Sequence, residues 1–222
     1  MPPPEIHRDL SVLIPAAGAG ERLGQGPKAL LELNGSPLIV WLTRKALQLS
    51  DDVIVTVPPN HLKEFQQLCP GCRCIAGGDT RQASVARLLA KSSRDWVMLT
   101  DVVRPFTSLD LYNQVLSKAR TTGIAGAFLS PDVPIAHIVN HQIVRSFKSS
   151  EVGVFQTPHA FSRKLLVDIC AQAENSSWVE QSTLELAIKA EYPVAVVPGE
   201  KNNIKLTTAD DWQFAKILTE YL

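Results

Sequence analysis

The chain has 222 residues, of which 45% are hydrophobic and 20% are charged. These proportions are ordinary for a soluble globular protein and exclude a disordered or fibrous one. The length suits one large domain, and we expect a single domain over residues 1–222. Lys and Arg (22) balance Asp and Glu (22). The chain therefore has no net positive charge that would attract nucleic acid or anionic lipid. Any anionic ligand must be bound by a local cluster of basic residues.

The uncharged stretches are too short to cross a bilayer. Stretches such as residues 33–43 and 121–131 fall well short of the roughly 18 to 20 apolar residues that a spanning helix needs. Residues 1–10 lack the apolar run of a secretory signal. We therefore expect a cytoplasmic protein with no membrane partner.

Three of the four cysteines, Cys69, Cys72 and Cys74, lie close together in the sequence, and Cys170 is distant. Cys69 and Cys72 have the spacing of a metal or redox pair, but no second pair matches it. In a reducing compartment we expect free thiols and no zinc site.

Apolar runs alternate with segments of helical period along most of the chain. This pattern is typical of strands joined by crossover helices in a mostly parallel sheet, so the predicted fold class is α/β. Ser36, Asn60 and Ser108 are expected to cap the helices that follow them. The predicted strands are 10–15, 53–57, 72–76, 96–100, 124–129, 152–156 and 193–197. The predicted helices are 38–49, 60–68, 80–91, 108–120, 162–173, 180–190 and a last one from Thr208.

Residues 131–150 break this alternation. Two strands, 135–139 and 143–147, flank Asn140-His141-Gln142, which predicts a β-hairpin. A two-stranded ribbon is marginally stable alone, so we expect it to be an arm that packs on a second copy of the chain. The alternative is a ribbon folded back onto its own domain.

A glycine-rich loop follows the first predicted strand, where open α/β sheets bind ligands. Its small residues let backbone N–H groups approach a polyphosphate, and Arg22 and Lys28 add positive charge. Leu23 breaks a dinucleotide-binding fingerprint, and Pro27 and Ala29 break a Walker A motif. The loop therefore predicts an anion site of another type, with a plain strand-to-helix turn as the alternative. The small residues are Ala16, Ala17, Gly18, Ala19 and Gly20.

A second loop follows the third predicted strand. Gly77 and Gly78 permit close ligand approach, and Asp79 and Ser84 offer hydrogen bonds suited to a base or a ribose. A capped helix start explains the same residues equally well.

Asp101 directly follows the fourth predicted strand, and Arg104 lies about one turn further along the chain. One carboxylate at this place suits Mg²⁺, which binds few carboxylates together with substrate phosphate oxygens. The alternative is a surface ion pair between Asp101 and Arg104.

Six segments together resemble the 2-C-methyl-D-erythritol 4-phosphate cytidylyltransferases. The first is shared with the wider nucleotidyltransferase group, whereas the Gly-Gly-Asp and Asn-Ile-Lys segments are more specific. The match covers nearly the whole chain. The segments are Pro15-Ala-Ala-Gly-x-Gly-x-Arg22, Pro27-Lys28, Gly77-Gly78-Asp79-x-Arg81-x-x-Ser84, Asp101-x-x-Arg104-Pro105-Phe106, Gln156-Thr157-Pro158 and Asn203-Ile204-Lys205-Leu206-Thr207.

The resemblance implies a Rossmann-like α/β domain with a β-arm that interlocks two subunits. It implies transfer of CMP from CTP to 2-C-methyl-D-erythritol 4-phosphate, with Mg²⁺ and release of pyrophosphate, in isoprenoid precursor biosynthesis. By position, Arg22, Lys28 and Lys205 would be catalytic groups around the α-phosphate. Asp101, Arg104 and Thr157 would bind the acceptor, and Asp101 also the metal. The nucleotide contacts would be Ala16, Ala17, Gly18, Ala19, Gly20, Gly78, Asp79, Ser84 and Val102.

Four departures from the family pattern lie on the acceptor side. Val133-Pro134-Ile135-Ala136 replaces Asp-Thr-Ile/Met-Lys, and Ser149, beside Lys148, replaces an arginine. His159 follows Thr157-Pro158 where the family has glutamine, and Val179-Glu180-Gln181 replaces Thr-Asp-Asp/Glu. The alternatives are therefore another acceptor, such as ribitol 5-phosphate or a sugar phosphate, another nucleotide, or a CTP-binding dimer without turnover.

Overall fold

The structure is a computed structural model that describes residues 6–18 and 26–220. None of the helices within these ranges is long and apolar enough to span a bilayer. The strands are β1 (Leu10–Pro15), β2 (Glu32–Leu33), β3 (Ser36–Pro37), β4 (Asp52–Val57), β5 (Arg73–Ala76), β6 (Trp96–Leu99), β7 (Ile124–Leu129), β8 (Ile135–Val139), β9 (Gln142–Phe147), β10 (Val154–Ser162) and β11 (Ala195–Pro198). The α-helices are α1 (Leu38–Ala46), α2 (Leu62–Leu68), α3 (Arg81–Lys91), α4 (Leu109–Thr122), α5 (Arg163–Asn175), α6 (Thr183–Lys189) and α7 (Ala209–Thr219).

A seven-stranded sheet in the order β11-β7-β10-β6-β1-β4-β5 forms the centre of the molecule. β1 pairs in parallel with β4 and β6, β4 with β5, and β7 with β11. β10 alone runs antiparallel to its neighbours β6 and β7. The predicted α/β fold with a mostly parallel sheet is confirmed.

The hydrophobic core lies on both faces of this sheet. Val12 and Ile14 of β1 pack on one face with residues of α1 and α4, and Leu13 packs on the other with residues of α3 and α5. Side chains of a strand alternate between the two faces, so a strand covered by helices on both sides reads as a continuous apolar run. This is why the central strands could be predicted from the sequence.

The helix starts were predicted with mixed success. The Ser108 hydroxyl accepts a hydrogen bond from the Leu111 N–H at 3.0 Å, which confirms that cap. Ser36 instead belongs to β3, and Asn60 to the short 3₁₀ helix Pro59–His61, so both predicted caps are wrong. A two-residue strand and a single 3₁₀ turn carry no periodic signal in the sequence.

β10 is longer than predicted. It runs on from Val154 to Ser162 through a register shift between Gln156 and His159. Such a bulge lets a strand continue past a proline, here Pro158, and it re-aims the neighbouring side chains.

β8 and β9 form a separate hairpin, as predicted for the arm. Its turn places Asn140 (φ 48°) and His141 (φ 63°) in the left-handed region, as a tight two-residue turn requires. β8 is exposed along its whole length. β9 is exposed as well up to its last residue, and the role of the hairpin as an arm stays a prediction.

Candidate active site

A cavity of about 800 Å³ opens at the carboxyl ends of β1, β5 and β6. We call it the larger cavity. Its walls include residues 16–18, 77–81 and 101–103 of the three loops, together with Lys28 and Lys205. Open α/β sheets bind ligands at this edge because the strand ends leave a crevice there. Residues predicted separately from three parts of the sequence thus meet around one cavity.

The first loop lies directly against the second. A Cβ atom on Gly77 would be 2.1 Å from the Cβ atom of Ala17, so glycine is required for this approach. Ala16, Ala17 and Gly18 line the larger cavity. The predicted phosphate-binding residues Ala19, Gly20 and Arg22 lie outside the described residues, and their roles stay predictions.

The second loop is both a helix start and a cavity wall. The Gly78 N–H donates a hydrogen bond to the Ser84 hydroxyl at 3.1 Å. The Thr80 hydroxyl caps α3 by accepting from the Ala83 N–H at 3.0 Å. Gly78, Ser84 and Asp79 also line the larger cavity, as does Val102 from the third loop. The two interpretations of this segment are therefore compatible.

Asp101 occupies the centre of the site. Its Oδ1 accepts a hydrogen bond from the Arg81 guanidinium at 3.2 Å, and its Oδ2 lies 3.9 Å from the Lys205 ammonium. Burial raises the pKa of Asp101, but the nearby Arg81 and Lys205 cations outweigh that effect, and the pKa is lowered overall. The carboxylate is thus ionised at neutral pH.

Arg104 is not the partner of Asp101, so the predicted alternative of a surface ion pair between them is wrong. Arg104 is buried, and its two Nη atoms donate to the main-chain oxygens of Asn203, at 2.5 Å, and Phe155, at 3.1 Å. It therefore connects the loop after β6 to strand β10 and to the loop after β11.

A smaller cavity of about 230 Å³ lies on the other side of Asp101. Arg81, Asp101 and Lys205 line both cavities, and we call these three residues the shared wall. Thr157 contributes to the smaller cavity and accepts a hydrogen bond from the Asp101 N–H at 3.2 Å. The remaining residues that line it are Arg104, Phe155, Gln156, His159, Gln181, Ser182 and Glu185.

Two of the departures from the family pattern, His159 and Gln181, line this smaller cavity. The side chain of His159 is buried, and neither ring nitrogen has a hydrogen-bond partner within residues 6–18 and 26–220. Burial lowers the pKa of His159 to about 3, although the charge of Asp101 opposes this shift. The ring is therefore neutral at physiological pH.

Three residues of the site carried no assigned role in the sequence. Arg81 stood in one of the six segments, but only the fold brings it to Asp101. His159 was noted as a departure, and Asn203 only as part of a segment. The contacts of Arg81 and Asn203, and the burial of His159, arise from packing between distant parts of the chain, which the spacing of residue types does not show.

The cysteines line neither cavity and are free thiols. Burial raises the pKa of Cys72 to about 12 and that of Cys170 to about 11. Reactive thiols have a lowered pKa, so these two groups are inert at neutral pH.

Comparisons with known proteins agree with this geometry. The model of the family "IspD: 2-C-methyl-D-erythritol 4-phosphate cytidylyltransferase" matches residues 10–220. The 2-C-methyl-D-erythritol 4-phosphate cytidylyltransferase of Thermus thermophilus is 38% identical over 211 residues, covering 95% of this chain and 97% of the relative. The protein of the same name from Deinococcus radiodurans is 31% identical over 212 residues, covering 96% and 90%.

Solved structures agree as well. The crystal structure of the Thermus thermophilus cytidylyltransferase has a TM-score of 0.82 at 33% identity, covering 95% of this chain and 98% of that one. The 4-diphosphocytidyl-2C-methyl-D-erythritol synthase of Anaerococcus prevotii has a TM-score of 0.84 at 22% identity, covering 96% and 99%, and shares the fold. The resemblance seen in six sequence segments is confirmed: the chain belongs to the 2-C-methyl-D-erythritol 4-phosphate cytidylyltransferase family of nucleotidyltransferases.

Proposed function

We propose that this protein transfers CMP from CTP to 2-C-methyl-D-erythritol 4-phosphate and releases pyrophosphate, a step of isoprenoid precursor biosynthesis. The observation that carries the proposal is the shared wall of Arg81, Asp101 and Lys205. The larger cavity has room for a nucleoside triphosphate, and the smaller one suits a short phosphorylated polyol. Membership of the family supports the identity of both substrates.

The larger cavity would hold CTP. The triphosphate would lie along residues 16–20, with Arg22 and Lys28 beside it, since small residues expose backbone N–H groups to an anion. Cytosine and ribose would contact Gly78, Asp79, Ser84 and Val102, three of which belong to the loop that packs against Ala17.

The smaller cavity would hold the acceptor next to the α-phosphate. Thr157 and Asp101 offer a hydroxyl and a carboxylate to the polyol. Arg104 already donates through both Nη atoms, and its buried Nε has no partner in the described part of the chain.

The reaction needs alignment and positive charge rather than a general base. The acceptor's phosphate-monoester oxygen is already anionic and attacks the α-phosphorus, forming a new P–O bond. The bond from that phosphorus to the bridging oxygen breaks, and its electron pair leaves with pyrophosphate. Holding both substrates against the shared wall supplies the alignment. Lys28, Lys205 and Arg22 would stabilise the charge that moves onto the leaving group.

The residues present fit a Mg²⁺ ion that is held jointly with substrate. The described residues contain no group of three or more His, Cys, Asp or Glu side chains arranged for a metal. Asp101 is ionised, and its Oδ2 is 3.9 Å from Lys205, so this oxygen keeps lone pairs free. Mg²⁺ accepts one carboxylate together with phosphate oxygens and water. Asp101 would hold the ion, which would neutralise phosphate charge when bound.

We also propose that the arm, residues 131–150, joins two copies of the chain. Ile138 is 61% exposed and Ile143 is 70% exposed, and both lie on the isolated hairpin. An apolar ribbon gains stability by burying such side chains, and a second identical arm offers a matching surface.

The test is a pyrophosphate-release assay with CTP, Mg²⁺ and a panel of phosphorylated polyols. We expect 2-C-methyl-D-erythritol 4-phosphate to give the highest kcat/KM, GTP to replace CTP poorly, and a chelator to abolish release. His159 and Gln181 alter the wall of the smaller cavity, so ribitol 5-phosphate and sugar phosphates are the comparison acceptors. Faster pyrophosphate release with one of these acceptors would contradict the proposed acceptor. CTP binding without pyrophosphate release across the whole panel would contradict the proposed enzymatic activity.

A further inference from the structure

Asn203 is a fully buried polar residue at the meeting point of three loops. Its Nδ2 donates to the main-chain oxygen of Thr157 at 2.8 Å, and its Oδ1 accepts from the Thr107 hydroxyl at 2.8 Å. Its own main-chain oxygen accepts from Arg104, at 2.5 Å, and from the Gln156 amide, at 3.2 Å. Every one of these partners is more than 45 positions away in the sequence.

These bonds join the parts of the chain that face the two substrates. Thr107 and Arg104 belong to the connection between β6 and α4, and Thr157 belongs to the bulge of β10. Asn203 itself stands two residues before Lys205. A carboxamide both donates and accepts, and aspartate, which has the same shape, cannot donate to the Thr157 oxygen.

The main chain is anchored on both sides of Lys205, whereas its side chain is only loosely held. Its side chain is 51% exposed, and its ammonium lies 3.9 Å from the nearest Asp101 oxygen, so side-chain contacts hold it weakly. On the other side of Lys205, the Leu206 N–H donates to the Val103 oxygen at 2.9 Å. That anchor survives substitution of Asn203, as do the bonds from Arg104 and Gln156 to the Asn203 main-chain oxygen. The two bonds of the Asn203 carboxamide, to Thr157 and Thr107, are the ones that a substitution removes.

We propose that Asn203 is a positioning residue for the transfer reaction: it acts through Lys205, fixing this cation relative to the Thr157 side of the shared wall. The inference rests on the proposed function. Asn203 is fully buried and, among the described residues, is not part of the lining of either cavity, so we assign it an indirect role. A displacement of about 1 Å in a reacting arrangement can lower a rate about 100-fold, which is the size of effect expected here.

The test is a double-mutant cycle on the full chain, with Asn203→Ala, Lys205→Ala and the double variant measured by single-turnover pyrophosphate release from CTP. We expect Asn203→Ala alone to lower the rate on the order of 100-fold with little change in the KM for CTP. In the Lys205→Ala background the same substitution should change the rate by no more than about twofold, because its target is gone. Asn113→Ala, at an exposed position of α4, is the matched control and should leave the rate unchanged.

If Asn203→Ala lowers the rate by the same factor in both backgrounds, the inference is overturned, because Asn203 then affects the rate by a route other than Lys205. If Asn203→Ala does not fold, the uncharged variant Asn203→Ser carries the same cycle, and a failure of both variants to fold makes Asn203 a stability residue and overturns the inference. A parent chain that releases no pyrophosphate overturns the proposed function as well, whereas an active parent with equal penalties overturns this inference alone.

Discussion

The Arg81 guanidinium donates a hydrogen bond to the Asp101 carboxylate at 3.2 Å across 20 positions of sequence. Arg81 begins α3 and Asp101 follows β6, so the pair joins two loops at the carboxyl edge of the sheet. Arg81 also donates to the Thr183 hydroxyl at 3.2 Å, which extends the connection to α6. These hydrogen bonds thereby hold Arg81 and Asp101 in place between the two cavities.

Replacing Arg81 by Met should lower the free energy of unfolding by about 2 kcal/mol, because the partly buried Asp101 carboxylate then loses a charged hydrogen-bond donor. Adding Asp101→Asn should recover most of this loss, since asparagine carries no charge, but should not restore pyrophosphate release. Urea unfolding and the release assay on both variants check this. A double variant as unstable as Arg81→Met would contradict the assigned pair.

Lys28→Ala should remove at least about 3 kcal/mol of transition-state stabilisation, which corresponds to a loss of more than about 100-fold in kcat/KM. The half-buried Lys28 lines the larger cavity and would face the triphosphate as charge shifts toward pyrophosphate. Lys63→Ala, on the exposed face of α2, is the matched control and should leave kcat/KM unchanged. A Lys28→Ala enzyme within tenfold of the parent would remove Lys28 from the catalytic groups.

His159 should make the protein less stable as the pH falls. Its folded pKa of about 3 lies below the ordinary value of 6.5, mainly because of burial, with Asp101 opposing the shift and Arg81 and Arg104 adding to it. Below pH 6.5 the unfolded chain therefore binds a proton that the folded chain does not. The free energy of unfolding should then fall by up to about 1.4 kcal/mol per pH unit as the pH decreases toward 3.

The comparison of the parent with His159→Gln isolates this effect, because glutamine does not titrate. From pH 7 to pH 5 the parent should lose about 2 kcal/mol more stability than the variant. Urea unfolding at the two pH values, with a chelator present, measures the difference. Identical losses in the two proteins would mean that His159 is not buried in its neutral form.

Ile143→Glu should convert a dimer into a monomer. The substitution places a charge on the exposed apolar hairpin that we propose joins two copies, and burying an unpaired charge is costly. Ile217→Glu, at a 54% exposed position of α7, is the matched control and should remain dimeric. Sedimentation velocity distinguishes the states, and a monomeric parent or a dimeric Ile143→Glu protein would contradict the role of the arm.

The loops around the larger cavity could be predicted from the sequence because each follows a buried apolar run. Such runs form the central strands, and their carboxyl ends meet at one edge of the sheet. Gly78, Ser84 and Asp101 were therefore expected near each other before any contact was known. Arg22 was predicted by the same reasoning, and its role stays a prediction.

The smaller cavity could not be predicted in the same way. Asn203 and Thr157 are 46 positions apart, and Arg104 meets Asn203 across 99 positions. Hydrophobic periodicity reports which face of an element is buried, not which polar groups meet after the elements pack. The neutral state of His159 likewise follows from tertiary burial.

The most direct measurement is a crystal structure of the protein grown with CTP and Mg²⁺. We expect the triphosphate along residues 16–18, with Lys28 within hydrogen-bond distance of a phosphate oxygen and cytosine beside Gly78 and Ser84. A larger cavity that stays empty at saturating CTP, or CTP bound at another surface, would contradict the central claim.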